Sequence, residues 1–105
     1  MNNAKIRSLI GFATKAGKVV FGCEMTVAGV RKHNKNSPRL MICASDASEN
    51  TKKRIRNCSA YHNVPMLVSE FSSGELSAIT GKLHSVAVLG ITDEGFVKAI
   101  QDNAV

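Results

Sequence analysis

The chain predicts an α/β fold: a three-layer α/β/α sandwich in which helices cover both faces of a four-stranded sheet. Two observations carry that prediction. Helical and extended patterns alternate strictly, beginning and ending with a helix, so that four strands lie between five helices. The strands are apolar throughout, as strands buried on both faces are, whereas a strand with one wet face would alternate. No linker, repeat or low-complexity segment interrupts the order. A length of 105 residues suits one domain over 1–105 with a single core.

Taken in order, residues 3–16 place Ile6, Leu9, Ile10 and Ala13 on one helical stripe. Lys5, Arg7 and Lys15 fall away from it, and Gly17 is placed to end the helix. A strand over 18–21 stops at Gly22, and a helix over about 24–33 restarts with Met25, Val27, Ala28 and Val30 as its apolar positions. After the polar loop His33–Pro38, Arg39–Ala44 reads as a buried strand. Asp46-Ala47-Ser48-Glu49 predicts a capping box with Asp46 at the cap. The helix it opens has Thr51, Ile55, Cys58 and His62 on one face. Asn63-Val64-Pro65 breaks it, and Met66–Val68 is a third buried strand. Ser72–Glu75 is a second capping box, starting a short helix through Leu76 and Ile79 to Gly81. Ser85–Ile91 is the fourth buried strand, and Thr92 caps a last helix carrying Phe96, Ala99 and Ile100.

Charge narrows the function. The formal net charge is +6, with a pI near 9.6, and it is unevenly spread. Residues 1–62 hold 12 basic and 3 acidic side chains (+9); residues 63–105 hold 2 and 5 (−3). A field concentrated on one part of a domain points to a polyanionic partner; the plain alternative is a soluble basic protein. The first residues lead straight into an amphipathic pattern, with no secretory signal, and no apolar run approaches the ~20 residues of a membrane span. Cys23, Cys43 and Cys58 form no short-spaced pair, as expected of free thiols in a reducing cytoplasm. Aromatic content is 5% with no Trp, which leaves few platforms for stacking single-stranded bases.

Enzyme motifs fail on inspection. Gly11–Lys18 resembles a phosphate loop but has five residues between its glycines, and Val19 where a Mg²⁺-binding hydroxyl belongs. His33, His62, His84 and the cysteines are scattered along the sequence, so neither a metal nor a cofactor is expected. Asp46 follows a buried strand as a phosphoacceptor would, yet the usual acidic pair after the first strand is missing. Cys23, at a helix start, is placed for a lowered thiol pKa but has no base beside it in sequence.

Binding has a clearer home. A strand that breaks at Gly22 and restarts as a helix presents unpaired N–H groups and the positive end of a helix dipole. Such a turn suits a phosphate or a base edge. Lys15 and Lys18 precede it and Arg31 and Lys32 follow. With Lys5, Arg7, Arg54 and Arg56 they are candidate phosphate contacts. Glu24 and Thr26 either meet base edges or cap the helix.

Gly22-Cys-Glu-Met-Thr-Val-Ala-Gly-Val resembles the Gly-x-x-x-Thr helix start of the ribosomal protein 7Ae/30e family, whose members bind kink-turn RNA. Ile10–Val20, Ala44-Ser-Asp-Ala-Ser-Glu-Asn-Thr-Lys-Lys, Tyr61–Pro65 and Gly81-Lys82 resemble its bacterial YlxQ-like branch, so that the match covers nearly the whole chain. The resemblance implies a mixed sheet and an RNA grip by Gly22, Cys23, Glu24, Met25 and Thr26. A second contact is implied at Lys82, Leu83, His84 and Ser85. Two positions depart from the pattern. The family's strongest RNA binders carry Asn-Glu and, three positions on, Lys; here those places hold Glu24, Met25 and Ala28. A charge-assisted hydrogen bond contributes roughly 1.5–3 kcal/mol, so these departures weaken binding by about ten- to a hundredfold. The expected protein is a non-enzymatic, cytoplasmic, monomeric binder of structured RNA, associated with the ribosome. The alternative is a protein-interaction module in translation or ribosome assembly with only generic RNA affinity.

Overall fold

The computed structural model describes residues 1–105. It contains α1 (Asn3–Lys15), β1 (Val19–Phe21), α2 (Cys23–Lys32), β2 (Leu40–Cys43), α3 (Glu49–His62), β3 (Met66–Val68), α4 (Ser73–Thr80), β4 (Val88–Ile91) and α5 (Glu94–Asn103). The strands form one mixed sheet in the order β1-β4-β2-β3. β4 is antiparallel to both neighbours, and β2 is parallel to β3. Consequently β1, β2 and β3 all point the same way, and α2, α3 and α4 all start from the same end of the sheet.

Alternation along the strands divides the core. Leu40, Ile42, Leu89 and Ile91 face α1, α4 and α5, where Ile6, Ile10, Leu76, Val97 and Ile100 meet them. Met41, Cys43 and Val88 face α2 and α3, where they meet Val27, Val30, Ile55 and Cys58. Gly90 completes that second face without a side chain because Pro38 crosses it: a Cβ there would stand 2.8 Å from the proline ring and 3.1 Å from the Thr26 methyl. The two helical layers also sort charge. Arg31, Lys32, Lys52, Lys53, Arg54 and Arg56 lie on α2 and α3 against only Glu24 and Glu49.

Several local expectations are corrected. Only the central strands β2 and β4 are buried throughout; β1 is half-buried and β3 partly exposed, because each forms an edge. Ser85–Ala87 precede the fourth strand, since Val86 turns its N–H to the carbonyl of Ser73 instead of to a neighbouring strand. Ser48, not Asp46, caps α3 by accepting from the N–H of Thr51. Asp46 instead accepts from the backbone N–H and hydroxyl of Ser73 at 2.8 and 3.2 Å, tying the β2–α3 loop to the start of α4. Asp93, not Thr92, caps α5 through the N–H of Phe96. At the end of α1, Ala16 is the capping residue and Gly17 lies one position beyond.

Candidate nucleic-acid interface

Gly22 makes the turn that starts the site. Its φ of 93° and ψ of 152° lie in a region essentially reserved for glycine, and its N–H donates to the carbonyl of Val88 at 2.8 Å. Lacking a side chain, it cannot cap α2. The N–H groups of Cys23, Glu24 and Met25 in the first turn therefore have no internal acceptor and stand at the positive end of the helix dipole.

The side chains of this turn go to different places. Met25 is 64% exposed. Glu24 is held by Arg54 of α3, whose guanidinium grips both carboxylate oxygens, one of them at 3.0 Å. Thr26 is fully buried against Gly90, and its hydroxyl has no hydrogen-bond partner in the chain. Neither Glu24 nor Thr26 caps the helix. Cys23 is half-buried, and burial pushes its thiol pKa up; Arg54 pulls it partly back and Glu24 adds to the rise. The lowering expected from a helix N-terminus is thus outweighed by desolvation. Burial likewise raises Cys58, and raises Cys43 to about 11.

The loop after α4 comes to the same end of the sheet. α4 stops at Gly81, and the Ser77 hydroxyl donates to the carbonyl of Lys82 at 2.7 Å. Lys82 then places its ammonium 4.3 Å above the centroid of the Phe21 ring. Leu83 is fully exposed, and an imidazole nitrogen of His84 lies 3.2 Å from the carbonyl oxygen of Ser85. Between this loop and the Gly22 turn runs a groove of about 340 Å³, with Phe21, Gly22 and Cys23 on one wall and His84 and Ser85 on the other. Two segments some sixty residues apart in sequence thus form one concave surface, with uncapped N–H groups and a fixed cation at its rim.

The remaining sequence candidates lie elsewhere. Lys15 ends α1, and Lys18 precedes β1, at the opposite end of the strand from Gly22, ~13 Å away by strand rise. Lys18 is fixed there by its N–H to Ala13 and its carbonyl to Thr92. Arg31 lies in the last turn of α2, lining a second groove against α3 with Arg54, Asn57 and Tyr61. His33 and His62, far apart in sequence, meet with Nε2 and Nδ1 3.0 Å apart, joining the C-terminal ends of α2 and α3. No group of three or more His, Cys, Asp or Glu side chains is placed to hold a metal. No helix is long and apolar enough to cross a membrane. Sequence reasoning missed the Glu24–Arg54 pair and the Lys82–Phe21 contact. Both join residues from different elements, which no local pattern records.

Comparison with known proteins adds to this geometry. Residues 4–101 match the model of the ribosomal protein L7Ae/L30e/S12e/Gadd45 family. The RNA-binding protein YlxQ of Enterococcus faecium is 39% identical over 101 residues, covering 96% of this chain and 92% of that protein. The large ribosomal subunit protein eL30 of Methanosarcina mazei is 32% identical over 83 residues, 79% of this chain and 74% of that one. A solved structure of a Bacillus halodurans protein of unknown function superposes with a TM-score of 0.85 at 29% identity, covering 96% and 97% of the two chains.

Proposed function

Because the chain belongs to the ribosomal protein L7Ae/L30e/S12e/Gadd45 family, we propose that it is a non-enzymatic RNA-binding protein of the ribosomal type. It takes a structured, kink-turn-like RNA at the joint of the Gly22–Thr26 turn and the Lys82–Ser85 loop, as a monomer in the cytoplasm and in association with the ribosome. The observation that carries this reading is the groove itself: an uncapped helix start facing a loop that holds a lysine over an aromatic ring. The free N–H groups supply donors to a phosphate or base edge, Lys82 supplies charge, and Met25 and Leu83 supply apolar contact to an unstacked base. Lys15, Lys18 and Arg31 contribute at a distance, to flanking phosphates. The YlxQ and eL30 relatives, named as RNA-binding and ribosomal proteins, support the same reading.

One observation favours a second reading. Glu24 sits where an Asn of the stronger binders would be and is occupied by Arg54, while Met25 is an exposed apolar side chain. A protein partner in translation or ribosome assembly, with the basic layer giving only generic RNA affinity, fits those two residues. A titration against a kink-turn RNA and a variant lacking its G·A pairs, at about 50 and 200 mM salt, separates the readings. Preference for the intact kink that persists at the higher salt is the expected result. Equal binding of both RNAs, collapsing with salt, overturns kink-turn recognition and supports the protein partner.

A further inference from the structure

We infer that the groove between α2 and α3 holds an unpaired segment of the bound RNA, with one base stacked on Tyr61 and a neighbouring phosphate on Arg31; this rests on the RNA-binding reading above. The groove, about 640 Å³, lies between the C-terminal parts of α2 and α3. Val27 and Cys58 belong to its apolar wall, and Arg31, Arg54, Asn57 and Tyr61 carry its polar and aromatic groups.

Tyr61 is the chain's single tyrosine and is 85% exposed, so it does nothing for the core. It is nevertheless held. Its ring meets His62 in a T-shaped contact with centroids 4.8 Å apart, and His62 is itself fixed by the 3.0 Å contact with His33. A large aromatic ring presented to solvent from a braced position is a stacking platform, and every base has a face to offer it. Asn57, one turn earlier on α3, offers a donor and an acceptor to a base edge.

Charge and direction choose the occupant. No acidic side chain lines the groove, and Glu24, which pairs with Arg54 at its edge, is neutralised by that pairing. Arg31 has no acidic partner, and Lys32, Lys53 and Arg56 add to the field on the same two helices. Such a surface complements a polyanion better than a protein of mixed charge. The groove also lies further along the same helix, α2, that the Gly22 turn of the first site opens. α2 and α3 run parallel from the same end of the sheet, and the Glu24–Arg54 pair stands where the Gly22 turn passes into the groove. From Arg54 to Tyr61 is ~10 Å of helix axis, a reach suited to a strand leaving the turn.

The test uses the intact chain and two RNA sets: a kink-turn stem, and the same stem with four-nucleotide single-stranded extensions containing 2-aminopurine. The extension on one strand should raise wild-type affinity about tenfold and have its fluorescence quenched on binding. Tyr61→Ala should lose that gain while binding the bare stem like the wild type; Tyr61→Phe should keep it. Arg31→Gln should lower the salt slope of the extended complex by about 0.7 for each phosphate that is no longer neutralised. An extension that adds nothing to wild-type binding overturns the inference, leaves the RNA-binding reading intact and gives the groove to a protein partner. A gain that survives Tyr61→Ala overturns it too. Failure of the wild type to bind any of the RNAs overturns both readings.

Discussion

Glu24 and Arg54, thirty residues apart in sequence, form a two-pronged ion pair that ties the first turn of α2 to α3. Both side chains remain substantially exposed, 74% for Glu24 and 44% for Arg54, so the pair adds little to stability. Its consequence is electrostatic. Glu24 puts a carboxylate beside the uncapped N–H groups that the proposed RNA would use, and Arg54 cancels it. The position is thereby neutral, neither repelling phosphate nor free to read a base.

Replacing Glu24 by Gln removes that charge and releases Arg54 toward the RNA. RNA affinity should rise about three- to tenfold at low salt, and thermal stability should fall by less than about 1 kcal/mol. Filter binding together with a thermal melt checks both. A drop in affinity would mean that the carboxylate itself contacts a base.

Thr26 carries the opposite expectation. Its hydroxyl is buried without a partner, and such a group costs about 1–3 kcal/mol. Thr26→Val keeps the shape and removes the hydroxyl, so urea denaturation should show a gain of about 1 kcal/mol. RNA affinity should stay within about twofold, because the side chain is fully buried against Gly90 and does not line the groove. A tenfold loss without destabilisation would return Thr26 to the interface.

Gly22→Ala tests the turn's backbone. A φ of 93° with a ψ of 152° strains any residue with a Cβ by about 1–3 kcal/mol, although nothing lies within 4 Å of that Cβ. The denaturation midpoint should fall accordingly. At a temperature where the variant remains folded, RNA affinity should fall about tenfold as the first-turn N–H groups are re-aimed. Unchanged affinity would remove those groups from the interface.

The two kinds of signal that the sequence carries explain what was legible. Apolar period gave the nine elements in order, because burial of one face decides each, as at Ile6 and Ile10 of α1 or Val27 and Val30 of α2. The break at Gly22 was legible because one residue type meets its backbone demand. Caps were legible where the reciprocal partner was unambiguous: Glu75 lies three positions after Ser72 and so chooses it over Ser73, whereas Asp46 and Ser48 compete over three residues. There the nearer Ser48 took Thr51, and Asp46 was free to bond Ser73 on another element. The start of β4 and the meeting of the Gly22 turn with residues 82–85 depend on how Val86 bonds to Ser73. That bond is a tertiary event, and composition and period do not encode it. The family resemblance supplied the second segment where local pattern could not.

The thiols give a stability signature at high pH. Cys43, the buried last residue of the central strand β2, has its pKa raised from 9.0 to about 11, mainly by burial, with Cys23 adding to the rise and Lys52 and Arg56 opposing it. The folded state therefore keeps a proton that the unfolded chain gives up above pH 9. The stability due to the neutral thiol is fully present below pH 9, and it declines as pH rises toward 11. A shift of that size corresponds to about 2–3 kcal/mol. Cys23 and Cys58, also raised, steepen the fall. Urea denaturation in reducing buffer between pH 8 and pH 11 should show stability dropping across this window. Cys43→Ala should be less stable at pH 8 because it leaves a small cavity, yet decline less steeply. A wild-type curve flat to pH 11 would mean that Cys43 ionises without opening the core, and parallel wild-type and variant curves would assign the loss to other groups.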